Sequence, residues 1–124
     1  MSSERRHHPR VVPEPARPIE VQIMGPGYLE IVEATNVAVG GVGVFIPHWA
    51  ASEYVDTRVE LILTMPHCRP VHLRGIIRHY DDEIDPARLG IEFLRLPPKV
   101  RSLLERYVDR HQDRPYVPAI PGSS

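Results

Sequence analysis

Cys68 is the single cysteine among 124 residues, so no disulfide can form within the chain, and a reducing compartment suits it. Apolar runs are short as well. The longest stretch free of charged or strongly polar residues, VAVGGVGVFIP from Val37 to Pro47, falls well below the ~20 residues that span a bilayer. The amino end has no apolar segment of signal-peptide type behind its charges. These absences predict a cytoplasmic protein without membrane insertion. Neither sign of charge dominates: 15 Lys and Arg stand against 16 Asp and Glu, which argues against DNA or RNA binding through general counterion release. Any anion site must be local.

The constellations of catalysis are missing too. Seven histidines invite a metal, yet no pair has the i, i+4 helical spacing of a zinc site, and Cys68 has no thiol companion. His67, Cys68 and His72 are close in sequence but surround a turn, where such residues are commonly solvated. No nucleophile, base and oxyanion donor can be assembled from marked motifs. GGVGVF lacks the lysine and hydroxyl residue of a phosphate loop and runs into a strand; its glycines read as a strand-entering bulge. The expectation is a protein that is not an enzyme and holds no metal or resident cofactor.

Proline, glycine and apolar periodicity divide what is present into three parts. Residues 1 to 18 carry four prolines among charges and read as a flexible arm without a core of its own. Residues 113 to 124, again rich in proline, read as a fraying tail. Between them, residues 19 to 112 have mostly a period of two. Ile19, Val21 and Ile23 alternate with polar neighbours, as do Val59, Leu61, Leu63 and Met65, then Val71, Leu73 and Ile77, and finally Leu89, Ile91 and Phe93. YLEIVEATNV is less regular, because Glu33 falls on the face of Leu29 and Ile31, which predicts a bulge or an edge. With VGVFI the count is six short strands joined by hairpin-length loops, which favours a small barrel or sandwich. After Pro97 and Pro98 the period becomes helical: Val100, Leu103, Leu104, Tyr107 and Val108 form one apolar stripe.

Two motifs stand on this frame. Arg6 and Arg10 are spaced R-x-x-x-R ahead of the first strand, beside Arg5, and NVAVGG reads N-x-A-x-x-G across Asn36, Ala38 and Gly41. In this order the chain resembles the PilZ family, whose R-x-x-x-R and [D/N]-x-S-x-x-G elements bind cyclic di-GMP. The resemblance continues through LRGIIRHYDDE and RLGIEFLRLPPKVRSLLERYV and covers roughly residues 4 to 110. It implies a mainly β fold, a six-stranded antiparallel barrel with a carboxy-terminal helix. It also implies a ligand site of Arg5, Arg6, Arg10, Asn36, Ala38 and Gly41, and a receptor that relays the second messenger to an effector protein. A second copy of the chain is a further candidate partner.

The ligand's chemistry suits these residue types. Each guanine presents O6 and N7 as adjacent acceptors that match the fork of an arginine, which also stacks on purine faces. Asn36 can pair with a guanine edge, and Gly41 lets backbone approach closely. Ala38 departs from the family's serine and removes one hydroxyl, worth about 0.5 to 1.5 kcal/mol. The competing reading makes the arginines a solvated arm and the protein a ligand-independent PilZ-like adaptor. In it Trp49 and Tyr54, in HWAASEY after the third strand, anchor a partner; alternatively, Trp49 plugs an end of the barrel.

Overall fold

The computed structural model describes residues 9–47, 55–83 and 86–117. Six strands and one helix follow in the order β1 (Glu20–Gly25), β2 (Tyr28–Ala38), β3 (Gly41–Ile46), β4 (Arg58–Thr64), β5 (Val71–Asp81), β6 (Ala87–Leu94) and α1 (Pro98–Arg110). The strands close an antiparallel barrel in the order β1-β2-β3-β6-β5-β4. Four connections are hairpins. The fifth is not, because β3 pairs with β6 and β4 returns to pair with β1, so two three-stranded meanders are joined by a crossover where a simple meander was expected.

The period-two positions fill the barrel as their alternation predicts. Ile19, Val21, Ile23, Leu61 and Leu63 are fully buried, and Val59, Met65, Leu73, Ile77, Leu89, Ile91 and Phe93 join them. α1 starts at Pro98, whose missing N–H belongs to a turn that has no intrahelical acceptor, and it buries Val100, Leu104, Tyr107 and Val108. Arg110 in the last turn complements the negative end of the helix.

β2 resolves the irregularity around Glu33 differently from a simple edge. Leu29 and Ile31 are themselves on the exposed face, 56% and 57% accessible, so Glu33 is in register with them and the change comes later. Ala34 pairs with Val44 but Asn36 pairs with Gly43, which leaves Thr35 as an extra residue in a bulge. Beyond it the alternation is inverted: Val37 enters the core, while Asn36 and Ala38 lie outside the core cluster. The bulge expected in YLEIVEATNV is thus at Thr35, whereas the one expected at the glycines is absent, since Ala38 pairs with Gly41 and Val37 with Val42 in regular register.

Both chain ends depart from the expected boundaries. Val11, placed in an arm with no core of its own, is buried in the barrel's apolar cluster. It forms an isolated bridge to Val37, with paired hydrogen bonds of 3.0 Å, and another to Pro115. The tail is held at residues 114 to 116: Val12 N–H donates to Arg114 O at 2.8 Å, Tyr116 N–H to Arg10 O at 2.9 Å, and Arg114 Nε to Val12 O at 3.0 Å. Two adjacent valines between arginine and proline have no periodic signature, yet burying Val11 is worth about 1.5 to 3 kcal/mol. Val11→Ala should lower the unfolding free energy by roughly 2 kcal/mol in urea titration, whereas a loosely attached arm would leave the midpoint unchanged.

Candidate functional site

The bulge at Thr35 determines what the two motifs can do. By inverting the alternation it turns Asn36 outward while keeping Val37 in the core, and the neighbouring strand makes room for it. Gly43 lies directly opposite Asn36, and a Cβ at Gly43 would come within 2.5 Å of Asn36 Nδ2. Asn36 is 3% exposed, the one buried polar residue among those described. Its Nδ2 donates to Thr35 Oγ1 at 3.0 Å, and its Oδ1 accepts from Arg10 Nη1 at 2.6 Å.

That last bond joins the two motifs. The segment around Val11 is pinned between β2 and the tail, so Arg10 is delivered to Asn36 from a fixed backbone. Burial pulls the Arg10 guanidinium below its ordinary pKa, an effect opposed by the nearby Tyr116. Arg10 forms no ion pair with a carboxylate among the described residues. A partly desolvated cation whose side-chain hydrogen-bond partner among the described residues is a neutral amide is suited to an anion.

Gly41 completes this side. It pairs with Ala38 across the hairpin and with Glu92 of β6. A side chain there would collide with the carbonyl oxygen of Ile91 and approach Arg10 Nη2 to 3.4 Å. The glycine is required by the close approach of β6 as much as by any ligand. Ala38 is 1% exposed and lines, with Arg10, a cavity of about 530 Å³, within the range of small-molecule sites. Arg5 and Arg6 lie outside the described residues, as do Trp49 and Tyr54. Four of the six expected site residues are thus described; the structure brings Arg10, Asn36, Ala38 and Gly41 together.

The cavity also contains residues that no motif marked. Arg78 lies on β5 at a second bulge, since Ile77 pairs with Ile91 but His79 pairs with Gly90. Its Nε donates to Glu92 Oε1 at 2.7 Å, and its Nη1 contacts Asp56 Oδ1 at 3.2 Å. The hydrogen bond to Glu92 raises the Arg78 pKa above its ordinary value. Arg95 and Arg101 line the same cavity. Their signal in the sequence was only charge, which a solvated surface shares. Among the described residues no cluster of three His, Cys, Asp or Glu side chains is placed to hold a metal ion, and no helix is long and apolar enough to cross a membrane.

A closed six-stranded barrel with a helix after the last strand, and an arginine from the preceding arm bonded to an asparagine at the β2–β3 turn, define a PilZ-type domain. The PilZ domain profile matches residues 4–110, and the chain belongs to that family. None of the curated proteins compared with it matches. Among solved structures it is similar to the inhibitor of motility MotI/DgrA of Bacillus subtilis, with a TM-score of 0.72 at 20% identity, covering 87% of this chain and 51% of that one. The PilZ domain of YcgR from Escherichia coli with c-di-GMP superposes with a TM-score of 0.71 at 18% identity, over 88% of this chain and 92% of that one. The MrkH–c-di-GMP complex of K. pneumonia gives 0.71 at 10% identity, over 83% of this chain and 50% of that one. The chain therefore spans about half the length of MotI/DgrA and MrkH.

The register makes one residue decisive for this architecture. Gly41→Ala should destabilise the domain by about 2 kcal/mol or more, because the colliding atom belongs to backbone. Thermal unfolding followed by circular dichroism checks this; an unchanged midpoint would mean that β3 and β6 are not so closely apposed at Gly41.

Proposed function

We propose that the protein is a cytoplasmic receptor for cyclic di-GMP. The observation that carries this reading is the 2.6 Å bond between Arg10 and Asn36, which links the two PilZ motifs beside the cavity that Arg10 and Ala38 line. The PilZ structures of YcgR and MrkH similar to this chain are complexes with c-di-GMP, and the donors found here match that ligand chemically. A guanine offers O6 and N7 side by side to the arginine fork, and the phosphates of cyclic di-GMP offer charge to a guanidinium that has no carboxylate partner among the described residues. Asn36 fixes the plane of the Arg10 fork, so little side-chain freedom remains to be lost when ligand arrives. Arg5 and Arg6 precede this point by four to five residues and supply further donors to the same ligand.

No group in the cavity forms a nucleophile with its base and an oxyanion donor, and the reading is one of binding without catalysis. The bound state is then communicated to an effector protein. The ligand-independent adaptor is the weaker reading, because an adaptor has no need for a desolvated arginine at this position.

Calorimetric titration with cyclic di-GMP tests the proposal. Arg10→Ala should cost about 1.5 to 3 kcal/mol of binding, the range for hydrogen bonds to charged groups. Saturable binding that is indifferent to Arg10 would place the ligand elsewhere, and no binding would favour the adaptor. Ala38→Ser should tighten binding by up to roughly tenfold through one restored hydroxyl. A fall in melting temperature without tighter binding would show that the hydroxyl is buried without a partner there.

A further inference from the structure

The cavity at Arg10 has a second cationic side, contributed by β5, the end of β6 and α1. Arg78, Arg95 and Arg101 line it together with His79, and Glu92 is its single acidic residue. Arg78 is held there by the bulge, a device that re-aims a side chain out of the regular alternation. Arg95 follows β6 with φ of 51°, in the left-handed region that glycine occupies more cheaply. Arg101 is in the first turn of α1, which has no acidic residue although the positive end of a helix favours one. Neither Arg95 nor Arg101 makes a side-chain hydrogen bond or ion pair among the described residues. Both carboxylates near these three guanidinium groups, Glu92 and Asp56, bond Arg78, so the charges of Arg95 and Arg101 are left for an anion to neutralise.

We propose that Arg78, Arg95 and Arg101 form a second anion subsite in this cavity, which takes a phosphate of the ligand that Arg10 and Asn36 hold from the other side. Glu92 occupies Arg78 in the empty protein at 2.7 Å and is displaced from it by the incoming phosphate. Glu92 also pairs with Gly41 across β3 and β6, so the exchange at Arg78 takes place beside the second motif. The carboxylate thereby sets the affinity: it keeps Arg78 in place without ligand and competes with phosphate for it. This inference rests on the cyclic di-GMP reading of the same cavity.

Four proteins and two ligands test it. In calorimetric titration with cyclic di-GMP, Arg101→Gln and Arg95→Gly should each weaken binding by about tenfold or more, the worth of a hydrogen bond to a charged group. Glu92→Gln should tighten it by roughly three- to tenfold, since the amide still bonds Arg78 but no longer repels phosphate. Arg95→Gly should leave the melting temperature unchanged or higher, because it relieves the left-handed residue; a residue with a purely structural role would melt lower. Unchanged affinity in both arginine variants, with the unsubstituted protein binding well, overturns the subsite, and weaker binding by Glu92→Gln overturns the exchange at Arg78. If the unsubstituted protein does not bind cyclic di-GMP, that reading fails, and inorganic pyrophosphate followed through the Nε–H signals of Arg95 and Arg101 decides the subsite. Saturable shifts that Arg101→Gln removes support it, and their absence overturns it.

Discussion

One extra residue in β2 governs the arrangement of the site. Without the bulge at Thr35, the alternation that puts Ala34 inside would also put Asn36 and Ala38 inside and Val37 outside. An amide would then be buried in an apolar barrel at a cost of about 1 to 3 kcal/mol, and Val37 would lose its place in the core. With the bulge, the strand seals the barrel with Val37 and presents Asn36 within bonding distance of Arg10. Gly43 opposite and Gly41 at the turn are the complementary conditions, since both remove side chains where Asn36 and the β6 backbone need the space. Core and site are thus two faces of the same eleven-residue strand.

The chain ends determine where Arg10 can be. Val11 is locked to Val37 on one side and to Pro115 on the other, so the residue before it cannot move far from the β2–β3 turn. Tyr116 reinforces this through its N–H to Arg10 O and through its hydroxyl, which accepts from Arg88 Nη1 at 3.1 Å. Two stretches far apart in sequence therefore form one small clasp over the end of β2. Burial lowers the Arg10 pKa, and among the described residues its side-chain partner is the Asn36 amide, not a carboxylate. An arm so held loses less freedom on binding than a disordered one would.

The barrel was legible because its inward residues recur at every second position over five or more residues, and the helix because Pro98 precedes an apolar stripe at helical spacing. The path between β3 and β4 was not, since alternation says which face a residue takes but not which strand it pairs with. Leu29 and Ile31 misled for a different reason: their apolar character suggested an inner face, whereas both are exposed. Of the candidate site, Arg10, Asn36, Ala38 and Gly41 were proposed from motif spacing, and the structure brings these four near one another. Arg78, Arg95 and Arg101 could not, because what distinguishes them is a bulge, a left-handed φ and a shared cavity, none of which leaves a mark in a local pattern. Val11 escaped notice because the pair Val11 and Val12, among prolines and charges, is too short to show a period.

The PilZ fold is shared with proteins that carry it as about half of their length, such as MotI/DgrA and MrkH, so the fold alone does not decide whether this copy receives a ligand. That depends on the convergence of the two motifs at one cavity. Its most direct measurement is amide and side-chain chemical-shift mapping of labelled protein titrated with cyclic di-GMP. The account predicts saturable shifts at the Arg10 Nε–H, the Asn36 side-chain amide and the backbone of Ala38 to Gly41, with the opposite end of the barrel around Met65 to Cys68 undisturbed. Shifts confined to other surfaces, or none at millimolar ligand, would contradict it.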